Sequence, residues 1–425
     1  MPDKSIKPVP LMQRHPSMGW VVLRFQLAID AYREMLNEGI QDIELLDERR
    51  LGANALAAVK TLPEANRQKL EAFLEHHADP ETPSIDPEDS AVQKEVAAIF
   101  RGDRYAALSF LLGAREAMAG PRRAAIVRNS LLVMAISAFE VLLTGLISRR
   151  FVEYPDAMQA DQKEFSLEDV RGFRSEEDAI DLLLSRRVTK IMYGSLDEWS
   201  KWFDERANAA FPPLAIDWDG LREAFQRRHV VMHSGGRVSS EYLAKVRAFE
   251  SLPALGSQLN VNDEYLHRVL DQLDALGTGV AVLAWGTWLP AEREDAARRL
   301  LRRTYQTMLM DHWSVTEKLA DLSGRVRCAD DTAHSIRCNG WLSRAERLGY
   351  ESIAGEVMPW DASALSARFR LVRHVLLQEL EEALALVPSI LAAKEIAPGE
   401  FREWPILRTL REHPGYAGVA ETHQI

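Results

Sequence analysis

The chain has 425 residues, of which 47% are hydrophobic and 27% charged, so it is long enough for two or three domains with buried cores. Its net charge of −11 excludes a surface coated in positive charge for non-specific nucleic-acid binding, but not a local basic groove. The two cysteines, Cys328 and Cys338, are too few for a disulfide framework or a four-ligand zinc site and are interpreted as structural thiols.

The first 121 residues predict a flexible tail followed by a helical region without recognisable chemistry. The tail, 1–17, is rich in proline and shows no secretory signal, so the cytoplasm is the expected location. The region 18–121 begins with an amphipathic pattern, and its acidic, proline-rich stretch 78–91 predicts a linker. Further helices are predicted at 41–60, at 63–77, and from 92 to 119 before a stop at Gly120 and Pro121.

An apolar stretch at 129–148 is long enough to cross a membrane. Glu140 lies near its middle, where a charge costs about 2–3 kcal/mol in hydrocarbon, and Ser137 and Thr144 add further polar groups. We therefore predict a buried core helix and no membrane association.

The remainder of the central region, 122–290, predicts a short helix with Asp197, Trp199 and Trp202, a helix or extended turn at SSEYLAKVRAFE, and two longer helices. The first contains LREAFQRRHVVMH, with Asp217 or Asp219 as its N-terminal cap, and Gly235 and Gly236 follow it. The second is a long helix that begins near Asn262.

The C-terminal region, 291–425, is again helical, with a helical pair interrupted at Pro388. Convincing alternation of apolar and polar residues between hairpin turns is absent throughout. The predicted fold class is all-α.

The sequence QRRHVVMHSGG, residues 226–236, contains the residue types that metal-independent RNA cleavage requires. An imidazole, with an unperturbed pKa of about 6.5, can accept the proton of a 2′-hydroxyl near neutral pH. A guanidinium stays charged and binds phosphate oxygens bidentately. His233 and Arg228 are the candidates for these two roles.

The spacing of these two residues presents a geometric difficulty. Residues five apart on a regular helix lie about 140° apart around the axis. Arg228 and His233 therefore meet only if the helix ends near His233 or if a second chain contributes. Gly235 and Gly236 favour a helix end, because glycine readily adopts the left-handed conformation.

The motif from Arg228 to His233 resembles the R-x4-H signature of the HEPN superfamily, in the manner of its RiboL-PSP-HEPN-like members. The stretches SAFEVLLTGL, DEWSKWF and DWDGL and the Gly pair with Tyr242 behind it extend the resemblance over about 125–290. This implies a four- or five-helix bundle, flanked here by helical N- and C-terminal regions.

The resemblance also implies a function. Many members are metal-independent endoribonucleases, commonly homodimers, that act in toxin–antitoxin, anti-phage and RNA-processing systems. By similarity, Arg228 and His233 are catalytic, while His229, Glu140 and Arg227 support the site. RNA is the implied substrate, no cofactor is expected, and an antitoxin or defence-system protein is a possible partner.

Alternative interpretations remain open. The protein could be a non-catalytic scaffold whose bundle dimerises and whose terminal helices bind a protein partner. His229 and His233 have the spacing of zinc ligands, but HVVMH lacks the glutamate of HExxH and a third ligand. The residues nearby with basic side chains fit RNA binding or a solvated face, and the tryptophans are interpreted as core residues. The basic residues are Arg222, Arg227, Arg237, Lys245 and Arg247. The tryptophans are Trp199, Trp202, Trp218 and Trp285.

Overall fold

The computed structural model describes residues 11–44, 62–77, 89–119, 123–158, 169, 172–246, 252–423 and 425. Within this part of the chain every regular element is helical, which confirms the all-α prediction. Some predictions fall outside the described residues: the tail before residue 11, the helix between 45 and 60, the linker at 78–88, the stop at Gly120 and Pro121, and Arg247.

The helices are labelled in chain order. The first six are α1 (Leu11–Arg14), α2 (Met18–Glu34), α3 (Glu64–His77), α4 (Ser90–Ile99), α5 (Arg104–Ala119) and α6 (Arg123–Glu153). The next five are α7 (Glu176–Met192), α8 (Leu196–Glu205), α9 (Trp218–Ser234), α10 (Ser240–Lys245) and α11 (Asp263–Trp288). The remaining helices are α12 (Arg293–Leu309), α13 (Trp313–Ala320), α14 (Asp330–Leu348), α15 (Glu351–Val357), α16 (Ala367–Leu376), α17 (Leu380–Ala392), α18 (Pro398–Glu403), α19 (Arg408–Glu412) and α20 (Tyr416–His423). A π-helical turn at Met35–Gly39 and 3₁₀ turns at Pro155–Met158, Pro290–Glu292 and Pro405–Leu407 complete the regular structure.

Two helix boundaries differ from the sequence prediction. The segment 92–119 divides into α4 and α5, because Gly102 adopts a left-handed conformation and the Asp103 carboxylate caps the new helix. In the C-terminal region Pro388 lies inside α17 rather than between two helices. Proline there removes one backbone donor, and the chain turns instead at Gln378, whose φ is +61°.

The apolar stretch at 129–148 forms the middle of α6, which is a core helix. Among the described residues, α6 is the one helix long and apolar enough to cross a membrane. Its buried residues include Leu132, Phe139 and Leu146, and half of its apolar window is buried within the protein. This confirms the prediction of a core helix, and most of the other residues of 131–150 are partly buried, with Met134 and Val141 exposed.

Helices α6 and α11 run parallel at the centre of the bundle. Arg128 pairs with Asp263 near their N-terminal ends, and the Tyr154 hydroxyl donates to the Trp288 carbonyl oxygen near their C-terminal ends at 2.6 Å. The largest hydrophobic core combines these two helices with α2, α7, α8, α9, α12 and α13.

Helix α2 lies within this core, although the sequence assigns it to the N-terminal region. Gly145 of α6 and Gly277 of α11 face it, where a Cβ would lie 2.8 Å from Val21 and 2.6 Å from Phe25. These glycines allow the helices to approach closely. The boundary expected at residue 122 therefore does not coincide with an edge of the hydrophobic core.

A buried ion-pair network joins α2, α11 and α12. Asp274 is fully buried and pairs with Arg33 at 2.7 Å and Arg303 at 2.6 Å, and Arg303 also pairs with Asp30 at 2.7 Å. Burial alone would raise the pKa of Asp274, but the two guanidiniums lower it to about 2. The network extends the bundle beyond residue 290, since Arg303 lies in the predicted C-terminal region.

Among the described residues three further cores lie outside the main one, and the smallest is formed by Val230, Val238, Tyr242, Val246 and Leu259. Helices α14 to α20 and the end of α12 form the second, which contains the buried Cys338. Burial raises the pKa of this thiol to about 12, as expected of a structural cysteine. Helices α3 to α5 form a small third core around Phe73, Ile99 and Phe110.

Candidate functional site

Helix α9 carries the R-x4-H motif, and both of its ends are capped. Asp217, one of the two predicted caps, accepts a hydrogen bond from the Gly220 N–H at 2.9 Å. At the other end Gly235 has φ +59°, and the Gly236 N–H donates to the Val230 carbonyl at 3.1 Å. The helix therefore stops directly after His233 and Ser234, as the paired glycines predict.

Arg228 faces α6 and pairs with Glu140. Its Nη2 lies 3.3 Å from Glu140 Oε2, and the two side chains are 29% and 28% exposed. Burial raises the pKa of Glu140 more than the nearby Arg228 lowers it. Arg228 Nε is buried without a hydrogen-bond partner among the described residues. The guanidinium is thus positioned by one carboxylate and remains partly exposed.

His229 and His233 form an exposed pair on the last two turns of α9. Their ring centroids lie 4.6 Å apart, with 49° between the ring planes. Both residues are exposed. An imidazole in this position is accessible to a molecule from solution.

Arg228 and His233 do not converge within one chain. Helix α9 extends through Ser234, so about 140° still separates the two positions around its axis. Of the contacts among the described residues, no hydrogen bond or ion pair joins them. One chain therefore provides two adjacent half-sites: the Arg228–Glu140 pair and the His229–His233 pair.

Arg227 lies on a different side of α9 from Arg228, away from both half-sites. Its Nε donates to Glu223 Oε1 at 2.7 Å, its Nη1 donates to the Asn260 carbonyl, and its guanidinium lies 4.2 Å from the centroid of the Tyr265 ring. These contacts anchor α9 to α11. They do not position Arg227 beside a substrate held by Arg228.

Glu223 is the centre of this anchoring cluster, and we did not predict it from the sequence. It is buried, and it accepts hydrogen bonds from the hydroxyls of Tyr242 and Tyr265 as well as from Arg227. Burial, together with the Glu223 carboxylate, raises the pKa values of both tyrosines. The sequence did offer one signal for this role: Glu223 lies four residues before Arg227 on a predicted helix, a spacing at which the two side chains can form an ion pair.

Most of the nearby basic side chains that the structure describes are engaged in contacts. Arg222 pairs with Asp197 at 2.8 Å and with Asp219 at 2.9 Å, and Lys245 pairs with Glu241 at 2.8 Å. These exposed pairs reduce the positive charge that the sequence suggests around the motif. The half-sites are therefore less basic than the local composition implies.

An apolar surface borders the Arg228–Glu140 pair. Val141, which follows Glu140 on α6, is 59% exposed, and Met232, one turn after Arg228 on α9, is 55% exposed. Met134, two turns before Val141, is also exposed. A contiguous exposed apolar patch marks a surface that contacts another molecule, and these three side chains are the candidates for one here.

The part of the chain that the structure describes contains no group of three or more His, Cys, Asp or Glu side chains that could hold a metal ion. No family model matches the chain, and neither a curated protein nor a solved structure is similar to it.

Proposed function

We propose that this protein is a metal-independent endoribonuclease of the HEPN type. The observation that carries the proposal is the pairing of Arg228 with Glu140 across α6 and α9, beside two exposed imidazoles at a capped helix end. Cleavage by the 2′-hydroxyl requires a fixed cation and an accessible base at the same phosphate, and two copies of α9 facing each other would bring them together.

The proposed reaction is an internal transfer at phosphorus. His233 accepts the proton of the 2′-hydroxyl, and the 2′-oxygen then forms a bond to the adjacent phosphorus. Arg228 stabilises the charge that grows on the non-bridging oxygens. The bond from phosphorus to the 5′-oxygen breaks, that oxygen takes up a proton from water, and His233 returns its proton to the solvent. The products are a 2′,3′-cyclic phosphate and a 5′-hydroxyl, and neither a metal nor a cofactor takes part.

The active form is proposed to be a homodimer. Because Arg228 and His233 diverge on one helix, two copies of α9 facing each other would place an arginine of one beside a histidine of the other. The exposed Val141, Met134 and Met232 offer an apolar surface for this contact. RNA as substrate, and an antitoxin or defence-system protein as a partner, are further parts of the proposal that rest on the family resemblance.

The same apolar surface also favours a second candidate, a non-catalytic dimerisation scaffold. This candidate requires the surface around Val141 and Met232 but not the chemistry of His233. Cleavage is therefore the property that separates the two.

The decisive experiment incubates labelled RNA with the purified protein in EDTA. We expect cleavage that survives chelation, yields 2′,3′-cyclic ends, and falls about 100- to 10,000-fold in His233→Ala, the usual contribution of a general base. Unchanged cleavage by that variant would remove His233 from the mechanism. If the wild type cuts no RNA, the scaffold is the better description.

The dimer is tested by molecular mass in solution. We expect the mass of two chains for the wild type and of one chain for Val141→Glu combined with Met232→Glu. Leu348→Glu is a matched control, because Leu348 is 63% exposed at the end of α14, outside the main core. A wild-type protein that is monomeric while it cleaves RNA would contradict the shared site.

A further inference from the structure

Away from the half-sites, a cleft lies at the C-terminal end of α6. Its volume is about 550 Å³. It is lined by Phe151 of α6, Ala157 and Met158 of the following 3₁₀ turn, Arg187, Lys190 and Ile191 of α7, and Trp202 and Arg206 at the end of α8.

The cleft combines an aromatic floor with a basic rim. The rings of Phe151 and Trp202 pack edge to face with centroids 6.0 Å apart, and Trp202 is only half-buried. Lys190 and Arg206 are exposed, and Arg187 is half-buried beside them. A ligand that fits this cleft needs a flat apolar part and a negative charge.

The charge of the cleft differs from that of the whole protein. No lining residue is acidic, whereas the chain as a whole carries a net charge of −11. Among the described contacts, Lys190 and Arg206 take part in no ion pair, while Lys201 on the same helix as Trp202 pairs with Glu205. The two rim cations are thus available to an anion from solution.

The cleft lies a short distance along α6 from Glu140, the ion-pair partner of Arg228. Phe151 follows Glu140 by eleven residues on α6, which corresponds to about 16 Å along the axis and about 20° around it. Both residues therefore lie on the same side of this helix. A strand bound at Arg228 needs to extend by only a few nucleotides to reach the cleft.

We propose that this cleft binds one nucleotide of the RNA strand, away from the bond that is cleaved. The base contacts the apolar floor at Trp202, and the phosphate contacts Lys190 and Arg206. Aromatic side chains with neighbouring cations bind single-stranded nucleic acid in this way, with little sequence preference. The inference rests on the proposed nuclease function, because it takes RNA as the substrate.

The first test measures RNA binding by the full-length His233→Ala protein, which does not consume the probe. A fluorescein-labelled single-stranded RNA is titrated at several salt concentrations. Lys190→Ala combined with Arg206→Ala is expected to weaken binding several-fold and to reduce the salt slope by about 0.7 for each phosphate that the variant no longer neutralises. Lys201→Ala, which removes one charge from α8 outside the cleft, is the matched control and is expected to leave both quantities unchanged.

A second arm separates base contact from charge alone. An abasic version of the same oligonucleotide is expected to bind about 5- to 100-fold more weakly, the range that corresponds to stacking of one base. This difference should shrink in Trp202→Leu, with thermal melting used to verify that the variant is folded. An equal affinity for both oligonucleotides would overturn the role of the aromatic floor. Displacement of the RNA by micromolar AMP would overturn the assignment to a strand, in favour of a free nucleotide.

The two proposals fail in different ways. If the wild type cleaves RNA but the double variant in the His233→Ala background binds with unchanged affinity and salt slope, the cleft assignment is wrong and the nuclease proposal stands. If the wild type does not cleave and the His233→Ala protein does not bind RNA, both proposals are wrong.

Discussion

Two sides of α9 carry adjacent arginines in contrasting environments. The Arg227 side chain is 16% exposed and contacts Glu223, the Asn260 carbonyl and the Tyr265 ring. The Arg228 side chain is 29% exposed, and its one ion-pair partner among the described residues is Glu140, at 3.3 Å. The comparison shows that packing engages the Arg227 guanidinium through several partners and leaves Arg228 with fewer.

The strongest test of this contrast removes the carboxylate at the centre of the Arg227 cluster. Glu223→Ala leaves a buried guanidinium without its counter-charge and two tyrosine hydroxyls without an acceptor. Loss of one partner of a buried ion pair typically costs about 3–5 kcal/mol of unfolding free energy, measurable by urea denaturation.

Arg222→Ala is the control on the same helix, because Arg222 is 45% exposed in its ion pairs. We expect a change of less than about 1 kcal/mol. Equal losses from the two variants would show that the Glu223 cluster does not anchor α9.

Replacing Arg228 should reduce cleavage strongly and change stability little, whereas replacing Glu223 is expected to reduce stability. Arg228→Ala is expected to reduce cleavage about 100- to 1,000-fold, the usual effect of removing one donor that stabilises transition-state charge. Its unfolding free energy should change by less than about 1 kcal/mol, since both partners of this pair are partly exposed. Arg228→Lys should recover little activity, because an ammonium lacks the planar fork. Wild-type cleavage rates in Arg228→Ala would exclude the arginine from the mechanism.

A substitution at the C-terminal end of α9 is expected to have a smaller effect on stability. Gly235 has φ +59° and open space around its Cβ position, so Gly235→Ala strains only the backbone. The expected loss is about 1–2 kcal/mol of unfolding free energy. Gly355→Ala is the control, because Gly355 lies within α15 in similarly open space without a positive φ, where alanine is neutral or stabilising. Identical thermal shifts for the two variants would argue against the left-handed cap.

The smallest effect is the pH dependence of Glu140. Burial raises its pKa above the ordinary value near 4.5, so the folded protein binds this proton more tightly than the unfolded chain. The stability of the wild type relative to Glu140→Gln should therefore fall as the pH rises from about 4 through the raised pKa. The measurement is urea denaturation of both proteins across this range. A relative gain with rising pH would mean that the attraction of Arg228 outweighs the burial.

Much of the local structure could be predicted because it depends on nearby residues. The helical class follows from apolar periodicity, and the caps at Asp217, Asn262 and Gly235 follow from their side chains or, for glycine, from its backbone freedom. The internal position of Pro388 could not be predicted, because the packing around α17 compensates for one lost backbone hydrogen bond.

For the candidate site, the sequence alone identified the two arginines and the two histidines, which lie within two turns of α9. It also identified the end of that helix. It also indicated, through the helical angle, that Arg228 and His233 diverge. Only the tertiary structure decided that Arg227 anchors the fold, that Arg228 faces Glu140, and that α2 belongs to the main core. The reason is physical: periodicity sets the angles between side chains on one helix, but partners distant in the sequence determine which of those sides is covered.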